Sequence, residues 1–310
     1  MITTVTLNAA IDKTYFVDGF ELGRVSRASR MISYPGGKGV NVARVAYLLG
    51  GPVRATGFVG GSNGSYIERQ LEQQGIANDF VRVEGESRLC LNIIDPVNGR
   101  STELLEQGPE IEEAQAAAMK HKIRELAAQS KIVTLSGSLP KGLPASFYAE
   151  LIAIVRAEGA MAFLDASGDA LVQGIQAKPF LIKPNEDEVE KILGKKLERV
   201  EDVYSSVYQL MRDGIRCVVV SLGAEGSVAG YDGIVYRIHA PRIEAVNTVG
   251  CGDSFVAGMA VALERGDSIQ QALKLATATG TANALMPEAG NVRLEDVSLF
   301  LEQVRIETIA

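Results

Sequence analysis

A chain of 310 residues that is 46% hydrophobic can bury a full core, as one large domain with an added subdomain or as two domains. Its formal net charge of −7 argues against nucleic acid or an anionic membrane as the main partner, while leaving room for a local basic pocket. The three cysteines, Cys90, Cys217 and Cys251, are odd in number and widely spaced, which argues against a secreted disulfide framework and favours a reducing cytoplasm.

The chain opens on a strand, residues 2–7, that runs into a polar turn. No basic leader precedes an apolar stretch, so no signal peptide is expected, and no apolar run reaches the roughly 18 residues a membrane span needs. Residues 13–34 are strand-like and more polar. A helical pattern at 40–49 and a strand at 53–58 follow, and then a second polar strand-like stretch at 88–107. Beyond it, helices are expected at 112–129, 144–158, 203–213, 254–265 and 269–285, with apolar strands at 132–135, 161–164, 180–182 and 217–221.

Alternation of this kind predicts an α/β fold whose central sheet is mostly parallel, with helices on both faces. The polar stretches 13–34 and 88–107 become extra strands standing off that sheet as a small lid. No linker, low-complexity segment or fixed-period repeat divides the chain, so one domain over 1–310 carrying this lid is the economical organisation. In an open parallel sheet, ligands bind outside the carboxyl ends of the strands, so informative residues are expected just after strands.

The strongest motif is Asn247-Thr-Val-Gly-Cys-Gly-Asp-Ser-Phe-Val-Ala-Gly258, a Gly-x-Gly turn leading straight into a helix. Backbone N–H groups of Gly250, Cys251 and Gly252 can converge there on an anion, and the helix dipole adds to the attraction. Asp253 beside such an anion hole is placed to take a proton from an attacking hydroxyl; it serves equally well as a plain helix cap. Early in the chain, Pro35-Gly-Gly-Lys-Gly-Val-Asn-Val-Ala43 brings glycines and the polar Lys38 and Asn41 to another helix start. Its spacing is not that of a Walker A loop, and an ordinary glycine-rich turn stays open.

Lys183-Pro-Asn-Glu-Asp-Glu188 follows a short strand. Carboxylates there suit Mg²⁺ held through water, or simply an acidic first helical turn. Ser221-Leu-Gly-Ala-Glu-Gly226 ends another strand and suits nucleotide contact or a hairpin turn. His121 and His239 have no plausible Ser or Cys partner, so zinc chemistry and a Ser-His-Asp triad are not expected. Cys90 and Cys217 are expected in the core. Cys251 sits where a helix N-terminus can depress a thiol pKa.

Gly36-Gly-Lys-Gly-Val-Asn41 together with Thr248-Val-Gly-Cys-Gly-Asp253 resembles the paired signatures of the PfkB (ribokinase-like) carbohydrate kinases. Ser136-Gly-Ser-Leu-Pro140, Lys183-Pro-Asn185 with Glu188, and Ser221-Leu-Gly223 occur in the family's order, so the resemblance spans essentially the whole chain. Thr6-Leu-Asn-Ala-Ala-Ile-Asp12 and Arg88 resemble its hexose-phosphate branch. Cys251 departs from the usual alanine or serine.

The resemblance implies a ribokinase-like fold with a β lid, ATP and Mg²⁺ as cofactors, and transfer of phosphate to a ketohexose phosphate. Arg88-Leu-Cys90 and residues 102–111 favour tagatose 6-phosphate over fructose 1-phosphate; another sugar or nucleoside, or a non-catalytic sugar-phosphate sensor, is the remoter reading. By the same resemblance Asp253 is the base, residues 250–253 are the anion hole, and Asp12, Gly36, Gly37, Lys38, Asn41, Arg88 and Ser138 are substrate contacts, with Arg24 or Arg27 adding charge from the lid. Lys183, Asn185, Ser221, Gly223, Gly226, Thr248, Gly280 and Asn283 are assigned to the nucleotide, and Glu188 to the metal through water. A cytoplasmic homodimer paired through the lids is implied as well.

Overall fold

The computed structural model describes residues 1–309. Its elements run β1 (Ile2–Thr6), β2 (Ala10–Phe16), β3 (Arg30–Gly36), α1 (Lys38–Leu48), β4 (Val53–Gly60) and α2 (Gly61–Gln73). Then come the short β5 (Ala77–Asn78) and β6 (Val81–Val83), β7 (Arg88–Asp95), β8 (Arg100–Leu105), α3 (Glu113–Ala127), β9 (Ile132–Ser136) and α4 (Phe147–Ala157). The second half contributes β10 (Met161–Asp165), α5 (Gly168–Gly174), β11 (Leu181–Ile182), α6 (Glu186–Leu193), α7 (Val200–Arg212) and β12 (Cys217–Ser221). It closes with β13 (Ser227–Tyr231), β14 (Ile234–His239), α8 (Cys251–Arg265), α9 (Ile269–Asn283), α10 (Leu294–Gln303) and β15 (Arg305–Ile309).

An 11-stranded sheet has the order β15-β14-β13-β12-β11-β10-β9-β1-β4-β5, with β6 paired to β4. From β12 through β4 its pairs are parallel, and β12 to β15 continue it as an antiparallel edge. The expected mostly parallel α/β sheet is therefore present. The antiparallel edge was not anticipated, because 227–231, 234–239 and 305–309 are short, and the last of them pairs with a strand some way back in the sequence.

The continuous apolar runs have a direct cause. In β12, Cys217 and Val219 face one packed layer with Leu181, Phe163 and the buried faces of α1, α8 and α9. Val218 and Val220 face the other, with Ile182, Leu164, Val133 and helices α3, α4 and α7. A strand covered on both sides has no polar face to alternate with.

A separate 4-stranded sheet has the order β3-β2-β7-β8, antiparallel except for the parallel β2–β7 pair. It comes from the two polar stretches expected to stand off the main sheet. Strand β8 is exposed along its whole length, including Leu104 and Leu105. Its root joins the main body where Gly36 of β3 meets the start of α1. No helix among the described residues is long and apolar enough to cross a membrane.

Candidate active site

The parallel pairing puts the carboxyl ends of β1, β9, β10, β11 and β12 along one edge of the sheet. Asn8, Ser138, Asp165, Lys183 and Ser221 lie at or just beyond those ends. The structure collects around them most of the residues picked out in the sequence, although these are far apart in the chain.

Asp253 lies in the first turn of α8 and is only 5% exposed. Gly250 caps that helix with φ 84°, a left-handed conformation that glycine adopts without strain, and no side chain makes a capping hydrogen bond at this helix end. The uncapped N–H groups and the helix dipole remain available to an anion. Asn41 Nδ2 donates to Asp253 Oδ2 at 2.8 Å. Burial, reinforced by the nearby Asp165 carboxylate, pushes the Asp253 carboxyl up to about 6, with Lys38, Asn41 and Lys183 pulling the other way. An acid held there is poised to exchange a proton near neutral pH.

Asp165, at the end of β10, was not singled out in the sequence. It is buried and meets two ammonium groups, Lys38 Nζ at 3.2 Å and Lys183 Nζ at 3.6 Å. Burial works against its ionised form, but Lys183 and Lys38 outweigh that and hold the carboxyl below its ordinary range. Burial likewise opposes the charge on Lys38, but Asp165 and then Asp253 outweigh it and raise that ammonium. The signal that could have found Asp165 is positional: a carboxylate closing an apolar strand of a parallel sheet.

Lys183 Nζ lies over the helix start, since a Cβ added at Gly252 would come within 2.9 Å of it. An ammonium group facing an uncapped helix end makes a site for a group carrying spread negative charge.

On the side facing the small sheet, Asp12 of β2 lies against Gly36, where any side chain would overlap the Asp12 carboxyl. Burial raises the Asp12 carboxyl, with Arg44, Arg88 and a hydrogen bond from Cys90 acting against it. Arg88 Nε donates to Asn8 O at 3.1 Å, and Asn8 Nδ2 reaches Ser138 Oγ at 3.3 Å. Arg24 and Arg27 are not brought to this cluster. They lie in the exposed connection between β2 and β3, where Arg24 pairs with Glu21 at 2.8 Å.

On the other side of Asp253 a cleft of about 1490 Å³ opens, ample for a nucleotide. Lys183, Ser221, Gly223, Gly226, Thr248 and Gly280 line it. Asn283 is a correction. It is fully buried behind the loop, taking hydrogen bonds from Ser254 Oγ at 3.0 Å and Gly290 N at 2.9 Å, and donating to Val249 O at 2.9 Å. Its amide is used up in shaping the anion loop and does not face the cleft.

Two cysteine expectations also change. Cys251 starts α8 as expected, yet burial pushes its thiol up, helped by the Asp253 carboxyl and only partly opposed by a hydrogen bond with Asn283. Cys90 is half-buried beside Asp12 and not in the core, and burial pushes its thiol up to about 11. Cys217 is buried in the core, and its thiol is pushed up to about 12.

Asn185 and Glu188 form a reciprocal cap on α6. Asn185 Oδ1 accepts from Glu188 N at 2.8 Å, and Glu188 Oε2 accepts from Asn185 N at 3.0 Å. Among the described residues no three His, Cys, Asp or Glu side chains converge as a metal cage. Such a donor set fits Mg²⁺ only where phosphate oxygens and water complete the shell, with Glu188 Oε1 left for the water.

Known proteins resemble this chain along nearly its whole length. The sequence profile described as pfkB family carbohydrate kinase matches residues 5–296. A tagatose-6-phosphate kinase of Staphylococcus epidermidis is 37% identical over 309 residues, covering 99% of both chains. The phosphofructokinase-2 of Escherichia coli in complex with potassium superposes with a TM-score of 0.92 at 25% identity, over 97% of this chain and 98% of that one. That protein is also known in a tetrameric inhibited form. A Thermotoga maritima protein titled "Possible 1-phosphofructokinase" gives a TM-score of 0.90 at 27% identity, over 100% of both chains.

Proposed function

The chain belongs to the pfkB family of carbohydrate kinases, and from that premise we propose that it moves the γ-phosphoryl group of ATP to the free primary alcohol of a ketohexose phosphate. Tagatose 6-phosphate is the preferred acceptor, in line with the relative that is 37% identical over 99% of both chains. Fructose 1-phosphate is the second reading, favoured by the likeness to the Thermotoga maritima protein. The observation that carries the chemistry is the buried Asp253, held by Asn41 at 2.8 Å, beside an uncapped helix start with Lys183 above it.

In this reading ATP occupies the cleft lined by Ser221, Gly223, Gly226, Thr248 and Gly280, with its phosphates toward Lys183. Mg²⁺, held through water at Glu188, supplies charge neutralisation to the phosphates. The sugar phosphate lies between Asp12 and Arg88, within reach of Lys38 and Ser138. Asp253 takes the alcohol proton, and the α8 N-terminus with Lys183 stabilises the charge on the group in transfer. The four-stranded sheet acts as a lid on a single kinase domain, keeping water from the γ-phosphate.

An ADP-release assay with Mg·ATP and equal concentrations of tagatose 6-phosphate, fructose 1-phosphate and fructose 6-phosphate tests the substrate. The highest kcat/KM is expected with tagatose 6-phosphate; a preference for fructose 1-phosphate moves the assignment to the second reading. Arg88→Ala is expected to raise KM for the sugar phosphate about 10- to 100-fold, the worth of one charge-assisted hydrogen bond. An unchanged KM would remove Arg88 from the phosphate site.

The exposed edge strand β8, with Leu104 and Leu105 open to solvent, and the exposed Met31 on the opposite edge strand β3 support a homodimer in which one lid covers the other. Light scattering should give twice the 33.1 kDa chain mass. A fully active monomer would overturn this. A reducing cytoplasm suits the three unpaired thiols.

A further inference from the structure

Resting on the phosphoryl-transfer reading above, we propose that Arg44 is a positioning residue that ties the root of the lid to Asp253 by acting through Asn41. Arg44 lies on α1, one turn beyond Asn41; it does not line the cleft, and it meets the proposed sugar site through its attraction to the Asp12 carboxyl. Its guanidinium joins three segments distant in sequence. Nη2 donates to Pro35 O of the lid strand β3. Nη1 donates to Ala289 O at 3.1 Å and Gly290 O at 3.4 Å, and approaches Asn41 Oδ1 at 3.5 Å. Nε donates to Gln74 Oε1 at 3.4 Å, and the plane sits 5.4 Å from the ring centroid of Tyr34, whose hydroxyl accepts from Ala289 N at 3.4 Å.

The consequence for Asp253 follows from the chemistry of an amide. Asn41 can present either a donor or an acceptor to its neighbours, and only its Nδ2 end can stabilise a carboxylate. Arginine has donors alone, so a guanidinium at Oδ1 fixes the amide with Nδ2 toward Asp253.

Packing enforces the same arrangement from the other side. A Cβ at Gly290 would come within 2.7 Å of Asn41 Cβ, and one at Gly250 within 2.7 Å of Gly290 N. The loop that Arg44 holds is therefore wedged between Asn41 and the helix cap that starts the anion hole. Movement of β3 at Pro35 reaches Asp253 through this wedge.

Charged and titratable groups facing Arg44 are Tyr34, Asp12, Glu288 and Tyr66, and those facing Asp253 are Asp165, Lys38 and Lys183. Lysine in place of Arg44 keeps the charge but lacks the planar fork that serves carbonyls on two segments at once.

The test compares the full-length wild type with Arg44→Lys, Arg44→Met, Asn41→Ala and the Arg44→Met/Asn41→Ala double variant, using the ketohexose phosphate that the wild type turns over best. Arg44→Met and Arg44→Lys are each expected to lower kcat about 10- to 100-fold, with KM for ATP within about twofold of wild type. In the Asn41→Ala background the Arg44→Met change should cost less than about threefold, because its partner is already gone. Losses that multiply in the double variant, or an Arg44→Met kcat close to wild type, would overturn the proposal.

A crystal structure of Arg44→Met reads the geometry without any substrate. Loss of the 2.8 Å Asn41–Asp253 contact is expected there, and its retention overturns the proposal. A wild type inactive on all three sugar phosphates removes the substrate reading alone, since the crystallographic arm still decides the role of Arg44.

Discussion

Asp253→Asn is expected to lower kcat by about a thousandfold while KM for ATP stays near the wild-type value, the loss typical of removing a general base. Asparagine keeps the shape and can still meet Asn41, but it has no basic oxygen for the alcohol proton. The variant should also be no less stable than wild type at pH 7. A carboxyl raised to about 6 in the folded state is penalised relative to the unfolded chain once both are ionised.

The sign of the linkage follows from that displacement. Below the unfolded carboxyl range both states hold the proton and there is no penalty. The penalty grows from about pH 4 and is complete above about pH 6, on the order of 3 kcal/mol. Asparagine avoids it, so Tm should hold or rise by a few degrees.

The same displacement predicts an acid limb in the wild-type rate. With Asp253 as base, its ionised form is lost as pH falls through about 6, so kcat/KM, which reports the free enzyme, should halve near there. The residual activity of Asp253→Asn should lack that limb. Near-normal kcat in the variant, or a wild-type rate flat down to pH 5, would take the role of base away from Asp253.

Asp165→Ala should have the largest effect on stability, about 3–5 kcal/mol, because it removes the shared partner of two ammonium groups. Lys183 is the more exposed to this loss, since its side chain is 10% accessible against 43% for Lys38. Urea unfolding at pH 7 measures the change. The stabilisation by Asp165 has the opposite pH sense to that of Asp253. Its folded carboxyl is held low, so its contribution is present above the ordinary carboxylate range and disappears as pH falls through the lowered value. Asp165→Ala and wild type should therefore converge in stability in strong acid. Equal stability of the two at pH 7 would show that the lysines are content with water.

The fold was legible in the sequence wherever local pattern and global packing agree. Runs such as Ile132–Ser136 and Cys217–Ser221 are dominated by apolar residues on both faces because helices cover both, and their spacing by helices specifies parallel pairing. Glycine motifs at 36–39 and 250–252 marked the two helix starts because only a residue without a Cβ fits there. Asp253, Lys38 and Asn41 could be named in advance because each sits inside such a motif.

Other features depended on the tertiary structure. Asp165 and Arg44 lie in stretches whose local pattern is ordinary, and several of their partners, Lys183, Lys38 and Gly290 among them, stand far away in sequence. Asn283 looked like a nucleotide contact and proved to be buried, because whether an amide faces a cleft or holds a loop depends on what packs behind it. Strands β13 to β15 are short and draw their pairing from one another. Sequence alone determined the class of fold and the helix starts, and it put forward Asp253 as the candidate base, since these rest on conformational demands of neighbouring residues. Charge pairing, amide orientation and the buried acid displaced toward neutrality were decided only by the tertiary structure, because Coulomb interactions and desolvation depend on distances that sequence separation does not record.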